Sequence, residues 1–346
     1  MTQPLITASA LRALLASGSP LLLCDCSFDL SDTGAGVRSH AERHLPGAIY
    51  LNLDHDLSAP KSTVAGAPSA GRHPLPTREA FAARLAALGF RDDLPVVAYD
   101  GSGGMYAARL WWMLRWVGHA AVQVLDGGLA AWAAAGGALQ SGAVPARPSG
   151  SFTLRPPLVS TLAFEDLLDG LGRGSRLIVD ARAPDRFRGE NETLDPVGGH
   201  IPGAANRFFR HNLGPDGCFK PADQLRSEWQ DLIGGRRPAD LVQQCGSGVT
   251  ACHNLLALEA AGLGLPEPGE ARLQQPARAD HGLDALHLPA RPAALVQEAR
   301  AAARQPGHGQ DEHGAHVLRH LRRDQAHAQA HQLLERDGAR HVPGDG

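Results

Sequence analysis

The last 84 residues, Leu263–Gly346, contain no Ser, Thr, Asn, Lys, Ile, Met, Phe, Tyr, Trp or Cys. Those ten types fill 63 of the first 262 positions. At that frequency such a gap arises by chance about once in ten billion trials. The types that remain are Leu, Pro, His, Gln, Arg, Val, Ala, Asp, Glu and Gly. All of them are available to codons that begin with C or G. In a GC-rich gene the codon position almost always filled by C or G is the third. The tail therefore reads as a shifted frame that begins after Asn254, the last residue outside the set. A natural His-rich, metal-binding extension is the alternative, since nine of the 17 histidines lie there. A chelating tract would cluster its histidines, and these are scattered.

Other absences narrow the class. No apolar run reaches the roughly 20 residues that span a bilayer. Met1–Pro20 lacks the charged and apolar blocks of a signal peptide. The net charge of −3 gives no basic footprint for nucleic acid. Five cysteines in 346 residues do not make a disulfide scaffold, which points to a reducing cytoplasm. What is present is 43 % hydrophobic and 20 % charged, the balance of a globular chain. At about 100–200 residues per domain the length suggests two domains and a remainder.

Internal repetition locates them. Ala41-Glu42-Arg43-His44-Leu45-Pro46-Gly47-Ala48-Ile49 recurs as Gly198-Gly199-His200-Ile201-Pro202-Gly203-Ala204-Ala205. Upstream, Leu21–Asp25 matches Leu177–Asp180; downstream, Val96–Gly104 matches Leu241–Val249. Two copies of one domain follow, at 1–140 and 151–262, joined by the linker Ser141–Pro148. In the first copy the patterns predict a helix over Phe81–Leu88 and a buried strand over Val96–Tyr99. They continue with a helix over Met105–Val117, a strand over Val122–Leu125 and a helix over Leu129–Ala135. Strand–helix alternation implies an α/β fold, each copy a parallel sheet covered on both faces. The second copy follows the same order through a helix over Val249–Ala261. It should then supply a closing strand, a Gly turn and a Trp-bearing helix, as Val122–Trp132 does in the first. Residues 263–346 hold no aromatic residue, so the second copy is expected to lack its closing strand and the tail to be irregular or disordered.

In such sheets, chemistry sits at the carboxyl ends of strands. Cys245-Gly246-Ser247-Gly248-Val249-Thr250 lies there, between a strand and a helix. A Gly-rich loop in that place points backbone N–H groups at an anion, with the helix N-terminus behind them. A thiolate at its centre is stabilised and reactive. The first copy carries Asp100 at the matching place, so one copy is catalytic and the other is not. Cys24, Cys26, Cys218 and Cys252 read as small buried or inert thiols. Cys245, Cys252 and His253 make no zinc spacing with a second pair.

The tandem copies, the His-Ile-Pro-Gly-Ala element and the loop Cys-Gly-Ser-Gly-Val-Thr-Ala resemble tandem rhodanese-type sulfurtransferases, the 3-mercaptopyruvate sulfurtransferases in particular. The resemblance covers residues 1–262. It implies a small-molecule sulfur donor, a persulfide on Cys245, and release to cyanide or to a thiol acceptor such as a reduced thioredoxin-like protein. It implies no cofactor, no metal, no nucleic acid and no membrane. Thiosulfate-using relatives carry a basic loop; here Gly246-Ser247-Gly248 is uncharged, which favours mercaptopyruvate, with thiosulfate the alternative.

By the same resemblance Ser247, His73 and Asp54 form a proton relay. Arg186 binds the substrate carboxylate, for which a planar guanidinium is suited. Gly246, Gly248, Val249 and Thr250 line the site. A second arginine found in some members is missing, and Asp195 stands near that place. Arg182 reads as a structural ion-pair residue. A phosphatase of this fold would need Arg six residues after the cysteine, where Ala251 stands. A non-catalytic interaction protein fits the first copy alone, and an inactive frameshifted product fits the tail. Sequencing the gene across codons 250–270 is expected to reveal a change in base count against independent isolates; an intact frame in all of them overturns the frameshift.

Overall fold

The computed structural model describes residues 3–60, 71–171, 176–195 and 198–264, with only the backbone of 164–165 and 272–274. In the first copy the elements run β1 (Leu5–Ile6), α1 (Ala8–Ala16), β2 (Leu22–Asp25), α2 (Ala35–Glu42), β3 (Ile49–Tyr50), α3 (Arg78–Ala87), β4 (Val96–Tyr99), α4 (Ala107–Trp116), β5 (Val122–Leu125) and α5 (Gly128–Ala134). The second copy runs β6 (Ser160–Leu162), α6 (Phe164–Gly170), β7 (Leu177–Asp180), α7 (Pro184–Phe187), β8 (Ala205–Asn206), α8 (Ala222–Ile233), β9 (Leu241–Gln244), α9 (Val249–Ala260) and β10 (Arg272–Gln274). A 3-10 turn at Phe209–Asn212 follows β8 and another at Pro238–Asp240 precedes β9.

The sheets have matching orders, β1-β5-β4-β2-β3 and β6-β10-β9-β7-β8. Every pairing is parallel; Leu22 faces Val96 in one sheet and Leu177 faces Leu241 in the other. β2 and β4 are buried along their whole length, as unbroken apolar runs in a parallel sheet require.

Three expectations need correction. Helix α3 starts at Arg78 rather than Phe81, because the Thr77 side chain accepts the Ala80 N–H and caps a polar first turn. Helix α4 starts at Ala107 rather than Met105, because Asp100 takes the N–H groups of Tyr106 and Ala107. The second copy does have a closing strand. Arg272–Gln274 lies between β6 and β9, where β5 lies in the first copy. Ladder pairing uses backbone groups, so the slot can be filled without the aromatic pattern of the first copy. The expected irregular tail otherwise lies outside the described residues.

Helix α4 joins the two copies. Its residues Ala107–Leu114 are all buried, Arg109 among them, because it packs against α9 as well as its own sheet. Trp111, Trp112 and Trp229 share one continuous core with residues of both copies. The residues just after the linker lie along the first copy: the Gly150 N–H donates to the Ala86 carbonyl and the Arg155 N–H to that of Val117.

His253 on α9 fixes the join. Its Nε2 lies 3.1 Å from the Gly103 carbonyl of the first copy, and Asn212 donates to its Nδ1 at 3.3 Å. The ring stacks on Phe219 at 4.6 Å. Burial holds its pKa down, to about 4 from 6.5. The unfolded chain therefore protonates this histidine first, and stability present above pH 6.5 is lost as pH falls towards 4. Between pH 7 and 5 this residue should remove about 2 kcal/mol of unfolding free energy. Urea unfolding of His253→Gln should show a correspondingly flatter pH dependence; an equal slope in both proteins would refute this.

Candidate active site

Strand β9 ends at Gln244, and Cys245 opens the loop into α9. Cys245 is 3 % exposed, and its Sγ accepts the Gly248 N–H at 3.1 Å. Gly248 has φ +77°, the left-handed backbone that turns this N–H back towards the sulfur. Ser247 is buried in the loop, while Val249 and Thr250 open α9. Burial pushes the other thiols up: Cys24 and Cys26 far up, Cys218 to about 11 and Cys252 to about 12.

The first copy shows what the same turn does with a fixed anion. Asp100 follows β4 as Cys245 follows β9, and it is fully buried. Its Oδ1 accepts the N–H groups of Ser102 and Gly104 at 2.7 and 2.9 Å. Its Oδ2 accepts those of Tyr106 and Ala107 at 2.8 and 2.9 Å. Burial pushes this carboxyl's pKa up, and the four donors pull against it. The nest is thus filled from within, and no sulfur is present to react.

Around the Cys245 loop the structure gathers residues from both copies. Arg186, on α7, meets Glu192 at 3.0 Å and Asp195 at 2.8 Å. Arg72 of the first copy pairs with the same Asp195. A Cβ placed on Gly246 would lie 2.6 Å from Arg72 Nη2 and 2.9 Å from Asp195 Oδ2. A side chain here would have to displace the ends of those two residues, so the Arg72–Asp195 pair lies directly against the loop. His73, the next residue, has its Nε2 3.4 Å from Asp54 Oδ1. Arg182 pairs with Asp180 at 2.7 Å, consistent with its structural reading.

Cys245, Ser247, Gly246, Gly248, Val249 and Thr250 are thus one loop. Asp54 and His73 form a pair, and Arg72 ties their segment to that loop. Arg186 reaches the same cluster through Asp195. The sequence reading missed Arg72, Glu192 and the buried Arg109, which donates to the carbonyls of Leu57 and His73 at 3.3 and 3.2 Å. The only sequence signal for Arg72 was its place beside His73.

The filled nest yields a test. Asp100→Ala leaves four N–H groups without an acceptor, three of them buried, and should cost about 3 kcal/mol of stability. Asp100→Asn keeps acceptors and should cost less. Urea unfolding compares them, and a fully stable Asp100→Ala protein would show that the carboxylate holds nothing.

Comparison with known proteins agrees with this geometry. A family profile described as Rhodanese-like domain matches residues 7–135. The chain is 48 % identical over 263 residues to the probable 3-mercaptopyruvate sulfurtransferase of Pseudomonas aeruginosa, covering 76 % of this chain and 90 % of that one. It is 39 % identical over 269 residues to the human 3-mercaptopyruvate sulfurtransferase, covering 75 % of this chain and 85 % of the human one. Among solved structures it is similar to the 3-mercaptopyruvate sulfotransferase SseA of Escherichia coli. That match has a TM-score of 0.66 and 28 % identity, and covers 80 % of this chain and all of the other. With its two parallel sheets of matching order, its cysteine at a strand end and these relatives, the chain belongs to the rhodanese-type sulfurtransferases, enzymes that pass sulfur from a donor to an acceptor.

Proposed function

We propose that this sulfurtransferase takes sulfur from 3-mercaptopyruvate as a persulfide on Cys245 and hands it to a thiol. The observation that carries the reading is the loop itself: a buried sulfur under the Gly248 N–H, in a turn whose own side chains bear no charge. The Cys245 thiolate attacks the donor sulfur, and the carbon–sulfur bond breaks. The donor's S–H proton ends on the carbon, so the products are a Cys245 persulfide anion and pyruvate. Atoms and charge balance without an oxidant. Proton transfer at the departing enolate is the step that needs help. Ser247 in the loop and the His73–Asp54 pair supply it, the carboxylate holding the imidazole.

Arg186 offers planar donors to the substrate carboxylate. In the free protein those donors hold Glu192 and Asp195, so the substrate exchanges with a carboxylate already in place. A thiol, such as that of a reduced thioredoxin-like protein, or cyanide then removes the outer sulfur. In this reading residues 1–140 are the non-catalytic copy and 151–262 the catalytic one. Residues 263–346 are out of frame, and the setting is the cytoplasm. Thiosulfate is the second reading, favoured by Arg72, which brings a cation against Gly246 from outside the loop.

Incubation of the frame-restored protein with mercaptopyruvate and a thiol should release pyruvate. Cys245→Ser should abolish it. Ser247→Ala should slow mercaptopyruvate turnover by about a hundredfold and thiosulfate turnover by less. Equal losses on the two donors would take Ser247 out of the relay, and no pyruvate from the restored protein would defeat the donor assignment.

A further inference from the structure

Asp195 follows α7 in the second copy and holds two cations at once. Its Oδ2 accepts from Arg186 at 2.8 Å, and its Oδ1 pairs with Arg72 of the first copy. The same Oδ2 would lie 2.9 Å from a Cβ on Gly246, the residue after Cys245. This carboxylate therefore sits against the Cys245 loop, on the guanidinium assigned above to the donor anion. Its backbone N–H donates to Glu192 at 3.0 Å, which ties the segment down. Its side chain is 18 % exposed, so an anion from solvent meets it on the way in.

The charges around it set what that anion can be. Arg72, Arg182 and Arg186 are matched by Asp180, Glu192 and Asp195, three cations against three carboxylates. Arg109 and Asp54, which both touch His73, add one charge of each sign. Among the described residues this neighbourhood is thus balanced before any donor arrives. Mercaptopyruvate with its thiol protonated brings one negative charge, and thiosulfate brings two. When a monocarboxylate takes Arg186, Arg72 keeps Asp195 paired. A second negative charge on the donor meets the same carboxylate with no cation to spare among these residues. Coulomb energy is linear in charge, so Asp195 opposes the dianion about twice as strongly as the monoanion.

We propose that Asp195 is a specificity-determining residue, a fixed negative charge that admits monoanionic carboxylate donors and disfavours dianionic ones such as thiosulfate. The inference rests on Arg186 receiving the donor anion beside Cys245. Selection of this kind comes from a repulsive element against the wrong partner rather than from added contacts to the right one. Arg72 brings a cation to Gly246, and Asp195 takes up that charge before a dianion can use it.

Calorimetric titration of the full chain carrying Cys245→Ser measures donor binding without turnover. Asp195→Asn removes the charge and keeps the shape. It should tighten thiosulfate binding by about tenfold and mercaptopyruvate binding by about threefold, since the dianion feels the lost charge twice. Added salt should shrink the thiosulfate gain more than the other. Asp195→Glu keeps the charge and should leave both affinities within about twofold. Weaker binding of both donors to the Asp195→Asn protein would make Asp195 a support for its arginines and overturns the filter. Equal tightening of both, or no change, overturns it as well. A thiosulfate gain with Asp195→Glu would put the cause in geometry rather than charge and rejects the proposal even where the Asp195→Asn protein does not fold. If mercaptopyruvate does not bind at all, the donor assignment fails, while a thiosulfate gain with Asp195→Asn still upholds the filter.

Discussion

The structure depends on the packing of α4 against α9. Each helix begins where a Gly-containing loop leaves its sheet, so each N-terminus is tied to the end of a central strand. When the two helices meet, the loops after β4 and β9 are brought to one boundary. Segments far away in sequence then reach the Cys245 loop. This explains why α4 is buried from Ala107 to Leu114. It serves as the inner wall of one sheet and as the partner of the other copy's helix. It also explains how Arg72 of the first copy comes to lie against the Cys245 loop.

The loops after Asp100 and Cys245 make the same physical offer, backbone N–H groups converging at a helix start, and fill it differently. Asp100 brings a permanent carboxylate and takes up four donors. The turn is thereby locked from inside. Cys245 leaves its loop shorter: α9 starts four residues after it, whereas α4 starts seven residues after Asp100. The buried sulfur accepts the Gly248 N–H. The two turns thus leave matching strands of the two sheets and differ in length and in the group they hold.

Charge pairing around the Cys245 loop is nearly closed. Asp195 is shared by Arg186 and Arg72, one from each copy, and Arg182 is held between Asp180 and Glu192. Such a network leaves each of these cations matched by a carboxylate. It also binds the copies through charge as well as through apolar packing, in addition to the buried His253–Gly103 contact.

Much was readable from the chain alone. The repeat, the strands at Val96–Tyr99 and Val122–Leu125 and the Cys245 turn follow from patterns within about ten residues, where apolar periodicity and glycine geometry act. The departure at Asp195 was visible too, as was the change of composition after residue 262. What only the tertiary structure decided is which charges meet. Arg72 and Asp195 are 123 residues apart, and Arg109 and Leu57 are 52 apart. Nothing local encodes such pairs, because they exist only once segments far apart in the chain have packed together. The backbone of Arg272–Gln274 in the sheet is a similar case. A strand slot is defined by unpaired backbone groups on its neighbours, and those groups carry no side-chain signature to read.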